Sequence, residues 1–194
     1  VTSESPEFIS ESLSNCVLRD ANASNYRIGD LIKDQPAFLL FIRHFGCIGC
    51  SENIATMSPR FPELARLGVR TLVIGCGASL FIEGFIERHN LIDSHAEFYS
   101  DDTLSSHKAA GLMYGLWGGF RPRALFEMGR AYVNGHVSRE HQGDIKQHAG
   151  AVFLDHKGQI KLYHRNQSLG DHVDPAKVID VALVEYARIN REMM

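Results

Sequence analysis

No stretch of this sequence is long and apolar enough for a membrane-crossing helix. The longest uninterrupted apolar run, Ala37–Ile42, has 6 residues where about 20 are needed. Charge of one sign is also lacking: 20 Lys and Arg stand against 23 Asp and Glu, a net charge of −3 at pH 7. That balance argues against a nucleic-acid partner or a polybasic membrane contact. The opening residues, Val1–Ser12, lack the basic and apolar regions of a secretion signal, so a cytoplasmic protein is expected. Cysteine is sparse, with 4 in 194 residues, too few for a disulfide-stapled scaffold. In a reducing compartment a close Cys pair is more often catalytic or metal-binding than structural. Tryptophan occurs once, at Trp117, and there is no internal repeat or low-complexity tract.

What is present is enough for a real core. With 44% hydrophobic residues over 194 positions, the expectation is one domain over 1–194, with a loosely ordered arm at 1–14 and an insertion at 112–147. Cys16–Arg19 reads as an edge strand and Asn22–Asn25 as a turn, and Tyr26–Ile32 leads into the core. Ala37–Arg43 is a continuous apolar run of the kind found where both sheet faces are covered. Apolar spacing from Ile54 to Leu67 predicts a helix over Ser51–Leu67, with a kink or break at Pro59 and Pro62. Val69–Ile74 is a second core strand. Ser79 is expected to cap a helix reaching about Asn90, Glu97–Tyr99 is a short strand, and Asp101 begins a helix ending at Gly111.

The alternation stops at Leu112–Gln147, which includes Trp117, Gly118-Gly119 and a helical pattern over Ala124–Val133. A structureless loop this long is unusual in a compact domain, so the stretch reads as an insertion that covers the active site or makes a homodimer contact. Gly150–Asp155 and Gln159–His164 follow as a hairpin. Asp174 and Pro175 then open a last helix with Val178, Ile179, Ala182, Leu183 and Tyr186 on its apolar face. The order implies an α/β sandwich with parallel central strands and an antiparallel hairpin added.

The chemistry concentrates in Phe38–Cys50, FLLFIRHFGCIGC, where a strand pattern runs into Cys47 and Cys50 and then into a helix. Cys-x-x-Cys between a strand and a helix is the sequence form of a thioredoxin-like redox site. A thiol at a helix N-terminus faces unpaired N–H groups and the positive end of the macrodipole, which favours the thiolate. Arg43 and His44, just upstream, can add positive potential. Cys50 lies one turn further on, close enough to close a disulfide with Cys47 and complete a two-electron couple. The bland reading has both thiols packed and inert beside the strand end. A zinc site would want a second ligand pair, and neither His136 with His141 nor His141 with His148 offers one, so no metal or cofactor is expected. Cys76 and Cys16 read as small buried residues, Trp117 as core or interface, and Arg121, Arg123 and Arg130 as a solvated face.

Several stretches together resemble the thioredoxin-fold peroxiredoxin-like proteins of the AhpC/TSA type, in particular the peroxiredoxin-like 2 branch. They are Phe41–Cys50, Gly143–Gln147, Gly150–Gly158 and Tyr163–His172. The resemblance runs from about Tyr26 to the C-terminus. It implies a thioredoxin-like three-layer sandwich with a mixed central sheet and a helical insertion before the C-terminal β-hairpin. It also implies a thiol–disulfide oxidoreductase or antioxidant protein that reduces a peroxide or a protein disulfide at the expense of a thiol reductant. Peroxiredoxins carry Pro-x-x-x-Thr/Ser-x-x-Cys. With Cys50 in the last position, Arg43 stands for the Pro and Cys47 for the Thr, while Ala149 stands where an activating Arg precedes the hairpin. Arg43 or Arg165 can substitute for that Arg from another direction. Thioredoxins place a proline before the equivalent strand, and Gln147–Gly150 has none.

Two orders of attack stay open. In the thioredoxin-like order Cys47 attacks and Cys50 resolves, and in the peroxiredoxin-like order the roles exchange. Cys47 is favoured because the N-terminal thiol of such a turn is usually the more accessible one. The competing function is a non-catalytic thioredoxin-fold binding or scaffold protein whose Cys pair is vestigial.

Overall fold

The computed structural model describes residues 7–115, 143–168, 170–192 and 194. Its strands are β1 Val17–Arg19, β2 Asn25–Arg27, β3 Ala37–His44, β4 Arg70–Cys76, β5 Ala96–Asp101, β6 Gly150–Leu154 and β7 Ile160–Arg165. They form one mixed sheet in the order β2-β1-β5-β4-β3-β6-β7. β3, β4 and β5 pair in parallel, whereas β6, β7, β1 and β2 join antiparallel. The helices are α1 Glu11–Ser14, α2 Ile28–Leu31, α3 Ile48–Met57, α4 Phe61–Arg66, α5 Ile82–Arg88, α6 Ser105–Ala109 and α7 Pro175–Glu192. Among the described residues, no helix is long and apolar enough to cross a membrane.

Both faces of the central strands are covered, which explains the unbroken apolar run of β3. Phe38, Leu40 and Ile42 point into a core with Ile54, Phe61, Phe85 and Val178 from α3, α4, α5 and α7. Leu39 and Phe41 point the other way, toward Leu13, Ile28 and Leu31 of α1 and α2. The period of two along a strand makes this division. Each buried Phe or Leu contributes about 1.5–3 kcal/mol of transfer free energy. The three layers are those expected from the sequence.

Several boundaries moved for local reasons. The helix expected at Ser51 begins at Ile48, so Cys50 lies in its first turn. Pro59 breaks it as anticipated: a 3-10 turn at Ser58–Arg60 separates α3 from α4, and Pro62 takes the first turn of α4. Ser79 opens a 3-10 turn and makes no cap. Asp101 ends β5, and its carboxylate accepts from the Ser105 and Ser106 amides, at 3.2 and 2.7 Å, to start α6. Cys16–Arg19 is not the edge: β2 lies outside β1. Cys16 is only half buried, its thiol donating to Ser12 O at 3.1 Å.

The arm expected to be loose is fastened from residue 7 onward. Phe8 bridges to Gln159, Ile160 N donates to Glu7 O at 2.8 Å, and Ser10 caps α1. The hairpin turn is built by Asp155, whose Oδ1 accepts from Lys157 N and Gln159 N at 2.8 and 2.9 Å, with Gly158 at φ +79°. Asp174 caps α7 through Ala176 N at 2.9 Å. Leu183 and Tyr186 of α7 are exposed rather than core-facing, while Glu185 is buried. Arg188 reaches Glu185 at 2.7 Å and Asp155 at 3.0 Å. The Arg makes burial of those carboxylates tolerable and turns that side of the helix inward.

The helical pattern over 124–133, with Trp117, Arg121, Arg123, Arg130, His136 and His141, lies outside the described residues. The two ends of that stretch meet as a stem. Gly115 N donates to Lys146 O at 2.9 Å, His148 N to Met113 O at 3.0 Å, and Tyr114 bridges to Gln147.

Candidate active site at the end of β3

The turn from β3 into α3 is held at four points that involve neither thiol. Phe45 is fully buried, with its ring over Gly75, where a Cβ would come within 2.7 Å of the ring. Gly75 therefore makes the slot that seats the turn. Arg88 donates to Phe45 O at 3.1 Å, the His44 ring accepts from Gly46 N at 3.3 Å, and Cys47 N donates to His44 O at 3.1 Å. Cys47 is then the N-cap residue of α3, in extended conformation at φ −78° and ψ 128°. Its carbonyl accepts the first helical bond, from Ser51 N at 3.0 Å, and also the Ser51 hydroxyl at 3.3 Å.

Arg43 joins the two sulfurs to the rest of the fold. The β3–β4 ladder is irregular between Ile42 and His44, so Arg43 is skipped. Its N–H donates to Cys50 Sγ at 3.1 Å. Its side chain turns back along the stem: Nε donates to Gln147 O at 2.9 Å, Nη2 donates to Ile145 O, and Nη1 lies 4.0 Å from Cys47 Sγ.

All four cysteines are free thiols, with Cys47, Cys50 and Cys76 buried. Exposure does not distinguish the pair, since Cys47 is 4% and Cys50 2% exposed. Electrostatics does. The hydrogen bond from the Cys50 thiol lowers the Cys47 pKa to about 6, outweighing burial, and the Arg43 charge and the Cys50 and Gly49 amides add to it. Those amides favour the anion without closing a side-chain cap on the sulfur. Burial pushes Cys50 well above the ordinary thiol value, and its hydrogen bond to Cys47 raises it further. The surroundings thus favour the anion on Cys47 and the neutral thiol on Cys50, both sulfurs being shielded from bulk water.

Arg165 ends the strand that pairs with β6. It lies exposed at the end of β7 with its guanidinium 5.9 Å from the Tyr163 ring centroid, and the positive charge acting on Cys47 is that of Arg43. His172 meets Glu52 of α3 at 3.5 Å. Glu52, and Ser51 with its 3.2 Å contact to His89, are buried polar groups of α3 that pattern reading had not singled out. The carbonyls of Ile145 and Gln147 were beyond it altogether, because every residue type carries one. Ala149 is buried and accepts from Asn166 N at 3.1 Å, so no charge enters the site there. Among the described residues, no group of three His, Cys, Asp or Glu side chains is placed to hold a metal ion.

Comparison with known proteins bears on this site and on the fold around it. The family model for the AhpC/TSA antioxidant enzyme matches residues 56–168, more than half of the chain, and begins just past the Cys pair. The chain is 28% identical to the thioredoxin-like protein AAED1, chloroplastic, of Arabidopsis thaliana, over 65% of this chain and 50% of that protein. It thus spans about half the length of that relative. It is 26% identical to the prostamide/prostaglandin F synthase of Salmo salar, over 86% of this chain and 85% of that one. Human peroxiredoxin-like 2C is 26% identical over 86% of this chain and 77% of its own length. Among solved structures, peroxidoxin BcpB from Mycobacterium tuberculosis superposes with a TM-score of 0.64 at 13% identity, covering 92% of this chain and 98% of that one. Peroxiredoxin Q from Xanthomonas campestris gives 0.63 at 12% identity, covering 96% and 98%. At such identities the structural likeness speaks for the fold alone.

Proposed function

Because the chain belongs to the AhpC/TSA antioxidant enzyme family, we propose that its redox role is carried by Cys47 as nucleophile and Cys50 as resolving thiol. The observation that carries this reading is the split between the two sulfurs, one lowered to about 6 and its neighbour raised. A nucleophile must be ionised at working pH, and a resolving thiol need ionise only later. A small peroxide suits the site better than a protein disulfide. With 4% of Cys47 exposed, in-line approach of a bulky disulfide has no room, whereas a few-atom oxidant needs little.

The Cys47 thiolate attacks the nearer peroxide oxygen, the O–O bond breaks, and the departing alkoxide or hydroxide takes a proton to leave as alcohol or water. Cys47 is then a sulfenic acid. The Cys50 sulfur, once deprotonated, attacks the Cys47 sulfur and displaces hydroxide, which takes up the proton as water, leaving a Cys47–Cys50 disulfide. Two electrons from an external dithiol, or from two thiols, restore the pair. A resting dithiol of this kind belongs in a reducing compartment such as the cytoplasm. The Cys50 hydrogen bond does most to keep Cys47 ionised, and Arg43 adds its charge with Nη1 4.0 Å from the sulfur. The vestigial-pair alternative requires an ordinary or raised thiol at Cys47, and the charge and donors around it argue against that.

Mass spectrometry after one equivalent of hydrogen peroxide tests the assignment on wild type, Cys47→Ser and Cys50→Ser. Wild type should lose two hydrogens as a Cys47–Cys50 disulfide, Cys50→Ser should hold a trappable sulfenic acid on Cys47, and Cys47→Ser should stay reduced. Sulfenic acid on Cys50 in Cys47→Ser, with Cys50→Ser inert, would reverse the roles. No oxidation at either position in any form would end the reading.

A further inference from the structure

The turn that holds Arg43 is itself bolted to the neighbouring strand by a third cysteine. Asp144 N donates to Cys76 Sγ at 3.2 Å, and the Cys76 thiol faces Asp144 O at 3.8 Å. The approach leaves no space at Gly143, where a Cβ would lie 2.6 Å from Cys76 O, 2.7 Å from His44 Cβ and 2.8 Å from Cys76 Sγ. Asp144 then closes the turn. Its Oδ1 accepts from Lys146 N at 2.8 Å, its carbonyl accepts from Gln147 N at 3.2 Å, and its Oδ2 accepts from the Tyr114 hydroxyl at 2.8 Å. Two carbonyls of this turn, Ile145 O and Gln147 O, receive Arg43.

We propose that Cys76, Gly143 and Asp144 form a positioning latch for the Cys47 thiolate, in which the latch fixes the turn, the turn fixes Arg43, and Arg43 faces the sulfur. The proposal rests on the reading of Cys47 as the nucleophile. Cys76 takes no part in the electron transfer. Its sulfur is an acceptor that seats a backbone amide. An arginine side chain is long and freely rotating, and two carbonyl acceptors convert it into a fixed charge. Without the latch the guanidinium is free to move toward water, where its influence on Cys47 is screened. The titratable and charged groups acting on Cys47 are Cys50 and Arg43, while Asp144, Asp101 and Arg43 act on Cys76.

Peptide-resolved iodoacetamide alkylation of Cys47 across pH, on the intact reduced protein, tests the latch. The forms compared are wild type, Asp144→Ala, Cys76→Ala and Cys76→Ser, each checked for folding by circular dichroism. The Cys47 midpoint should rise by about one pH unit in Asp144→Ala and Cys76→Ala. It should return to the wild-type value in Cys76→Ser, whose hydroxyl oxygen can still accept the Asp144 amide. The sign in Asp144→Ala is diagnostic: loss of a carboxylate acting through charge alone would make Cys47 easier to ionise, not harder. Asp144 is partly exposed, so this variant decides the matter even where Cys76→Ala fails to fold. A depressed wild-type midpoint that stays put or falls in Asp144→Ala overturns the latch and leaves Cys47 as nucleophile. A wild-type midpoint at the free-thiol value of about 8.5 overturns both.

Discussion

Cys47 and Cys76 stand at the ends of adjacent parallel strands, both buried, yet their surroundings drive them in opposite directions. Cys76, the last residue of β4, is paired in register with His44 of β3 and with Asp101 of β5. Burial pushes its thiol up to about 12, the nearby Asp144 and Asp101 charges add to that, and the Asp144 amide only partly offsets it. Cys47 lies just past the end of β3 and is lowered to about 6. Both are buried and burial raises both, so desolvation alone does not decide which way a thiol is shifted. The difference lies in what replaces water around the sulfur. Cys47 has a thiol donor, a guanidinium and the first amides of a 10-residue helix. Cys76 has one amide and two carboxylates, which outweigh the small lowering it also receives from Arg43. Asp101 shows the same rule on a third strand end. Burial opposes its ionisation, but donors from His107 and Ser106 hold its carboxyl well below the usual range.

The largest expected effect breaks the contrast outright. Cys47→Ser should slow consumption of hydrogen peroxide by the reduced protein, read by quenched flow, by at least about 1000-fold, since serine is not ionised at neutral pH. Next comes the contrast itself. In the native reduced protein at pH 7, iodoacetamide should modify Cys47 at least about 100-fold faster than Cys76, and the two rates should converge in denaturant.

Smaller effects divide the Cys47 shift among its causes. Cys50→Ala removes the largest one, and should slow Cys47 alkylation at pH 7 by about tenfold as its midpoint moves up about two units. Arg43→Gln should slow it by about threefold, and Arg43→Lys should restore only part of that, because an ammonium cannot hold two carbonyls in a plane.

The smallest effect is on stability, and the two thiols act with opposite signs. The Cys47 pKa is depressed on folding, so its contribution is present above the unfolded value of about 8.5 and is lost as pH falls toward 6. The Cys76 pKa is raised, so its contribution is complete below about 8.5 and is lost as pH climbs toward 12. The Tm of Cys47→Ser should therefore depend less on pH between 6 and 8.5 than that of wild type, and Cys76→Ser should resist alkaline unfolding better.

Much of the scaffold was legible in the residues, because it follows local rules. The apolar run of β3 announced a strand covered on both faces, Pro59 and Pro62 announced the break after α3, and Asp155 with Gly158 announced the hairpin turn. The exposed side of α7 was not. Leu183 and Tyr186 fit the helical pattern, but the salt-bridged Glu185 occupies the inward position, because Asp155 and Arg188 meet there. At the site, the residue types and the helix N-terminus were readable, while the reason for preferring Cys47 was not the one anticipated. Accessibility fails to separate two sulfurs that are 4% and 2% exposed residues. Charge and hydrogen bonding do.

The sequence by itself determined that a Cys-x-x-Cys pair would lie where a buried strand meets a helix, with an arginine close by, for strand pattern, helix start and spacing are all short-range properties. Tertiary structure alone decided what that arginine does. The carbonyls that aim Arg43 belong to Ile145 and Gln147, about a hundred positions away, and the thiol that anchors their turn is on another strand. Main-chain groups from a distant segment leave no mark in residue type, and where they fall decides where the Arg43 charge is held.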